Sequence, residues 1–282
     1  MSDVPFSPDT VLPDTAPLGT APPATAVPLR PAATLLLARD GAEGVQLLLL
    51  RRSESLSFAA GHWVFPGGAI DRDDFSGVAS ALERSKEEVD CDRPSGEFLA
   101  AQRAAVRETR EEAGLELSAE PLCYYAHWVA PPLMKKRFST WFFLAPVTPA
   151  TADNEVQVDG SEIDQAEWFS PRRALREIAA GQLSVLPPTR VTLIELADCD
   201  SVEEMLDFCR RRRPPVFRPR SYIGQQQRPD SGDERFVFFY HGDAGYDELD
   251  PDLPGERHRL SLLEGEWCYE NTIELSCREG RE

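Results

Sequence analysis

One stretch constrains this chain more than any other: Arg107-Glu108-Thr109-Arg110-Glu111-Glu112-Ala113-Gly114-Leu115. It has helical spacing and stops on Gly114, the residue type that most readily takes the left-handed conformation closing a helix. At ~100° per residue, Glu111 and Glu112 fall one turn after Glu108, so three carboxylates share a face. Like charges at that spacing repel. Two arrangements relieve them. One is full solvation, the ordinary fate of an E-x-x-E-E pattern. The other is a shared divalent cation, and carboxylate oxygens suit the hard ions of magnesium and manganese, Mg²⁺ and Mn²⁺. Ser95 stands where a hydroxyl would cap the start of this helix, which the spacing predicts from Gly96 to Ala113. Its apolar stripe is Phe98, Ala101, Ala105, Val106 and Thr109.

A second feature lies upstream. Trp63-Val64-Phe65 reads as a short strand stopped by Pro66-Gly67-Gly68, and paired glycines let backbone approach a ligand closely. Before it, residues 32–38 and 45–50 are apolar runs around a turn at Asp40-Gly41 and read as paired, buried strands. Residues 75–89 have helical spacing and many charges, predicting a surface helix broken by Cys91-Asp92-Arg93-Pro94. Strands are expected over 122–129 and 138–147 and up to Trp168-Phe169. Ser170-Pro171 opens a helix reaching Ala180, and 191–196 and 202–213 carry helical spacing. Alternation returns over 236–240, 257–263 and 267–274. The pattern is mixed, an α+β chain with neither class confined to one half.

Composition narrows the partners. A formal charge of −18 opposes nucleic acid and anionic membrane, which repel such a chain before contact. No apolar run approaches the ~18–20 residues that span a bilayer. The six cysteines are scattered without a C-x-x-C, and the four histidines include no i, i+4 pair. A disulfide framework, a zinc site and a histidine metal site are therefore not expected, and thiols in a reducing cytoplasm are. Residues 1–30, rich in Pro, Ala and Thr, read as a disordered tail and not as a signal peptide.

Taken together, the two features resemble the Nudix hydrolases, whose signature is G-x5-E-x7-R-E-U-x-E-E-x-G-U with U aliphatic. Gly68 matches the first glycine; Arg107, Glu108, Glu111, Glu112, Gly114 and Leu115 match the second half. Three departures stand out. Asp74 occupies the first glutamate position, Thr109 the aliphatic one, and Arg107 follows Gly68 by 39 positions rather than 14, an insertion of 25 residues. A split box is similar to that of the acyl-CoA diphosphatase branch of the family, type 19 in the Nudix series. The likeness extends to Leu49-Leu50-Arg51-Arg52-Ser53, Val64 through Asp71, Leu186-Pro187-Pro188-Thr189-Arg190, His258-Arg259-Leu260 and Trp267-Cys268-Tyr269-Glu270.

The resemblance implies an α/β/α sandwich with an inserted helix and a C-terminal α/β extension: a Nudix domain over residues 31–180, insertion about 75–98, and an extension over 181–282 packed on the core. It implies a metal-dependent hydrolase cutting the pyrophosphate of CoA or acyl-CoA. An ADP-ribose or nucleotide-sugar diphosphatase, or a sensor that binds a nucleotide without cutting it, are the alternatives. Glu108, Glu111 and Glu112 become the metal ligands for Mg²⁺ or Mn²⁺, with the carbonyl of Gly67 or Gly68 as a further ligand. Arg107 orients the carboxylates, with Asp74 as its partner or, in the plainer reading, only a helix ion pair to Glu111. Glu162, six residues before Trp168, is the candidate extra ligand or general base, with Glu155 competing. Gly68, Arg51 and Arg52 are the expected substrate contacts. The Lys135-Lys136-Arg137 run could meet a 3′-phosphate or simply be solvated, and Trp63 and Trp128 could stack on adenine or pack in the core. The expected partner is a small CoA-like nucleoside diphosphate.

Overall fold

The computed structural model describes residues 27–42, 44–76, 95–117, 122–132, 134, 136–147, 156–225, 234–263 and 265–273. The first strand, β1 (Leu29–Gly41), turns back into β2 (Gly44–Arg52). Then come β3 (Trp63–Val64), β4 (Gly67–Ala69) and a 3-10 turn, Asp73–Phe75. Helix α1 (Ser95–Ala113) is followed by β5 (Cys123–Val129), β6 (Arg137–Pro146) and β7 (Ile163–Phe169). Three helices follow: α2 (Pro171–Ala179), α3 (Pro187–Glu195) and α4 (Val202–Arg211). The chain closes with β8 (Val216–Phe217), β9 (Arg220–Gln225), β10 (Glu234–Phe239), β11 (His258–Leu263) and β12 (Glu266–Asn271).

Eight strands form one mixed sheet, ordered β3-β2-β1-β6-β5-β8, with β4 also on β1 and β7 on β2. Its axis is the long parallel pairing of β1 with β6, from Leu29↔Arg137 to Ala38↔Pro146. Parallel sheets are covered on both faces, and here the alternation of side chains assigns each face its helices. Ala33, Leu35, Leu37, Leu48, Leu50 and Phe143 meet α1. Leu36, Ala38, Leu47, Leu49, Phe142 and Leu144 meet α2, α3 and α4. This is an α/β/α sandwich.

Alanine governs the α1 side. Ala100, Ala101, Ala104 and Ala105 are all fully buried, so the helix backbone lies close on the sheet. A larger side chain at Ala104 would lift it, at about 1–3 kcal/mol. The stripe expected from spacing is shifted by this contact: Val106 is only half-buried, whereas Ala100 and Ala104 join the core. Thr109 replaces an aliphatic residue without loss, since its buried hydroxyl donates to the Ala105 carbonyl one turn back at 2.7 Å. The helix starts at Ser95 itself, and the capping role expected of that side chain lies outside the described residues. At its other end Gly114 takes φ 67° and donates to the Arg110 carbonyl.

On the opposite face α2 opens at Ser170 as expected, and α4 is capped as well. Ser170 accepts from the Arg173 amide, and Ser201 from the Glu204 amide. A four-stranded antiparallel sheet, β12-β11-β10-β9, packs Phe236, Phe238 and Leu260 into the same core as α2–α4. Short β8 adds to the large sheet beside β5, where Phe217 stacks on Trp128 with centroids 3.9 Å apart. An ion pair is sealed within the second sheet region: Arg259 Nε donates to Asp243 at 2.7 Å, and Asp243 also accepts from the His258 and Gly245 amides.

Several expectations shift. β1 begins at Leu29, inside the segment read as tail, because Leu29 and Arg30 pair with Arg137 and Phe138. Gly67–Ala69, read as a stop, is a strand held by β1. β8 and β9 had no alternating signal, being broken by Pro214, Pro215 and Pro219. The expected surface helix falls, apart from Phe75 and Ser76 at the 3-10 turn, outside the described residues, as does most of residues 1–30.

Candidate active site

The C-terminal half of α1 faces the loop running through β4, and this junction brings the signature residues together. β4 hydrogen-bonds to β1 at Ala32↔Ala69, Ala33↔Gly68 and Thr34↔Gly67, so the Pro-Gly-Gly segment is anchored on the sheet's rigid centre. A side chain at either position would meet a close neighbour, fixed backbone at Gly67 and a carboxylate end at Gly68. A Cβ on Gly67 would stand 2.3 Å from the Ala33 carbonyl oxygen, and one on Gly68 would stand 2.4 Å from Glu108 Oε1. The Gly67 amide donates to Glu112 Oε2 at 2.9 Å across 45 positions of sequence.

Arg107 organises the carboxylates. Its Nη1 donates to Glu108 Oε1 at 2.9 Å and to Glu111 Oε2 at 3.2 Å. Its Nη2 and Nε reach both oxygens of Asp74, at 3.1 and 3.3 Å, and Nη2 also donates to the Ala69 carbonyl at 3.0 Å. This fork exceeds the simple helix pair with Glu111. Asp74 is only 5% exposed and is itself fixed by the Asp71 amide at 2.8 Å, so the shorter carboxylate does the bridging expected at that position. Its carbonyl accepts from Arg103, one turn before Arg107 on the same face of α1. That i, i+4 spacing was the signal by which Arg103 could have been found.

Burial sets the electrostatics. Glu112 is 7% exposed, and desolvation pushes its carboxyl up to about 8, with Glu108 and Glu162 pushing the same way. The Gly67 amide and Arg52 act in the opposite sense. Burial also raises Glu108, against the pull of Arg107. Glu111 is half-exposed. Among the described residues, no three His, Cys, Asp or Glu side chains already converge as a cation cage. Arg107 accounts for this, since it is the counter-charge to which Glu108 and Glu111 turn. The donor set nevertheless fits a hard divalent ion: all-oxygen, negatively charged in surplus, and with one carboxylate buried against its own ionisation.

Other expected residues divide. Arg52 lies beside the cluster, its Nη2 3.8 Å from Glu162 Oε2, and Glu162 is largely exposed. Arg51 is turned to Glu54 at 2.7 Å and does not join them. Trp63 and Trp128 are core residues, packed on Phe169 and Phe217 and 9% and 5% exposed, which leaves neither face open for a base. Arg137 is spent on the carbonyls of Val27, Ala130 and Pro131, and Lys136 reaches Ser57. Lys135 and Glu155 lie outside the described residues.

The family model described as NUDIX domain matches residues 28–187. A Caenorhabditis elegans protein provisionally named nudix hydrolase 7 is 24% identical over 214 residues, covering 70% of this chain and 70% of its own. The acyl-coenzyme A diphosphatase NUDT19 of Xenopus laevis is 22% identical over 339 residues, covering 89% of this chain and 83% of its own. Among solved structures, a NUDIX hydrolase from Alicyclobacillus acidocaldarius superposes with a TM-score of 0.52 at 27% identity, covering 64% of this chain and 96% of that one.

Proposed function

The chain belongs to the Nudix family and is a hydrolase acting on pyrophosphate linkages; we propose that its substrate is CoA or an acyl-CoA. Cleavage of that pyrophosphate would give adenosine 3′,5′-bisphosphate and (acyl)phosphopantetheine. The observation that supports this is how far the similarity runs. The Alicyclobacillus enzyme is matched almost end to end by 64% of this chain, and the family model ends at residue 187. Likeness to the acyl-coenzyme A diphosphatase covers 89% and so continues into the extension. We take residues 181–282 as that extension, packed on a Nudix domain of about residues 31–180, and place the protein in the cytoplasm.

Glu108, Glu111 and Glu112, with the carbonyl of Gly67, would hold the divalent cation, Mg²⁺ or Mn²⁺. Such an ion, when bound, neutralises phosphoryl oxygens and lowers the pKa of the attacking water. The chain's own residues supply position. Arg107 ties Glu108 and Glu111 to Asp74, and the Gly67 amide orients Glu112. Gly68, lacking a side chain, lets the Glu108 carboxylate lie against the loop. Glu162 is the candidate to take the proton from water, with Arg52 holding it on the Glu112 side. Arg52, beside the cluster and outside the Arg107 fork, is also the candidate contact for substrate phosphate.

The test is a substrate panel with Mg²⁺ or Mn²⁺: CoA, acetyl-CoA, a long-chain acyl-CoA, ADP-ribose, NADH and diadenosine polyphosphates, with products read by mass. Adenosine 3′,5′-bisphosphate from the CoA species is the expected result. AMP from ADP-ribose or NADH, with CoA untouched, would overturn the specificity and leave the hydrolase.

A further inference from the structure

Two thiols from distant parts of the chain meet beneath α4. Cys123 opens β5, and Cys209 lies 86 positions later near the end of α4. Cys123 Sγ lies 2.6 Å from Cys209 Sγ, and Cys209 Sγ donates to the Tyr124 carbonyl at 3.2 Å. Both are thiols and not a disulfide. A disulfide holds its sulfurs ~2.05 Å apart, so closing the bond asks for about half an ångström of movement. The two cysteines also differ in access. Cys209 is 2% exposed, and its neighbour and burial together push its thiol up; Cys123 is half-buried and reachable from solvent.

We propose that Cys123 and Cys209 form a redox-modification site, a dithiol that a glutathione-type disulfide converts into an intramolecular bridge stapling α4 to β5. Cys123, as thiolate, attacks one sulfur of oxidised glutathione; that S–S bond breaks and one glutathione leaves as its thiolate. Cys209 gives up its proton and attacks the Cys123 sulfur of the mixed disulfide, and the second glutathione leaves. Two protein thiols are oxidised, one glutathione disulfide is reduced to two thiols, and the protons released by the cysteines end on the glutathiones. The staple ties the chain beyond residue 181 to the large sheet, so it restrains the unfolded chain over a long loop. Both sulfurs belong to the core on the α2–α4 face of the sheet, whereas Glu108, Glu111 and Glu112 are carried on α1 over the other. The bridge therefore acts on stability and not on turnover.

The experiment uses the full chain, incubated with oxidised glutathione, alkylated, and mapped by peptide mass, with thermal unfolding and kcat measured alongside. Two thiols should be lost, one peptide pair joined through Cys123 and Cys209, and Tm raised by several degrees, reversibly on reduction, with kcat unchanged. Cys209→Ser should trap a lasting glutathione adduct on Cys123, and Cys123→Ser should abolish both bridge and Tm shift. Cys199→Ser should behave as the wild type, so the test survives if Cys209→Ser does not fold. Full alkylation of all cysteines after oxidation, an unresolved adduct on Cys123 in the wild type, or an equal Tm rise in Cys123→Ser would each overturn the proposal.

Discussion

Gly67 and Gly68 are adjacent, yet an added methyl group should damage them in opposite ways. On Gly68 it would stand 2.4 Å from Glu108 Oε1 and 2.5 Å from Glu108 Cδ. Ordinary contact requires about one ångström more, so the carboxylate must move by roughly that distance. What it strikes is the end of a flexible side chain, and the fold absorbs the shift. The chemistry does not: misplacement by ~1 Å costs about 100-fold in rate. On Gly67 the methyl meets the Ala33 carbonyl at 2.3 Å and Thr34 Cα at 2.8 Å, both backbone of β1 and pinned by the sheet. Overpacking against atoms that cannot yield costs about 1–3 kcal/mol or more, a fall of about 2–12 °C in Tm for a chain of this size. Gly68→Ala should thus unfold within about 2 °C of the wild type while kcat falls about 100-fold; Gly67→Ala should lose Tm first. Thermal unfolding in a metal chelator, and kcat with Mg²⁺ on the substrate the panel selects, decide it. A Gly68→Ala protein with near-normal kcat, or one that melts as early as Gly67→Ala, would refute the reasoning.

Other outcomes follow from the same geometry. Asp74→Asn leaves the Arg107 fork without its buried anion, and should cost about 2–3 kcal/mol by denaturant unfolding and lower kcat at least ~10-fold. Glu112, pushed up to about 8 by burial, binds its proton more tightly folded than unfolded, so it lowers metal-free stability as pH rises from the ordinary carboxylate range towards 8. Glu112→Gln should remove that decline, making the metal-free variant more stable than the wild type near that pH by a few kcal/mol. Its kcat should nevertheless fall at least ~100-fold. A variant that tracks the wild-type stability–pH curve refutes the burial argument. Asp243 is held below the ordinary aspartate value by Arg259 and two amides, against the opposing effect of burial. Its contribution is present above the unfolded aspartate value and is lost as pH falls through the folded one, so Asp243→Asn should cost about 3 kcal/mol at neutral pH and flatten acid unfolding.

Much was legible before any coordinates. The spacing of Glu108, Glu111 and Glu112 sets a common helical face whatever the helix packs on. Gly114 ends that helix, Ser170 starts another, and apolar runs become β1, β2, β5 and β6, because these are local properties of the backbone. What was not legible depended on partners far along the chain. Arg51 and Arg52 are neighbours with the same chemistry, yet one meets Glu54 and the other Glu162. Trp63 and Trp128 could have offered open faces, and the sheet's second layer closed them. Asp74 and Arg107 stand 33 positions apart across the insertion, and Gly67 and Glu112 stand 45 apart. Composition and periodicity therefore determined most of the elements, though not β4, β8 or β9, and the residue types available for chemistry. The tertiary fold alone decided which carboxylate is buried, which arginine is shared and which two cysteines touch, since burial and proximity arise only when the sheet brings distant segments into one dry space.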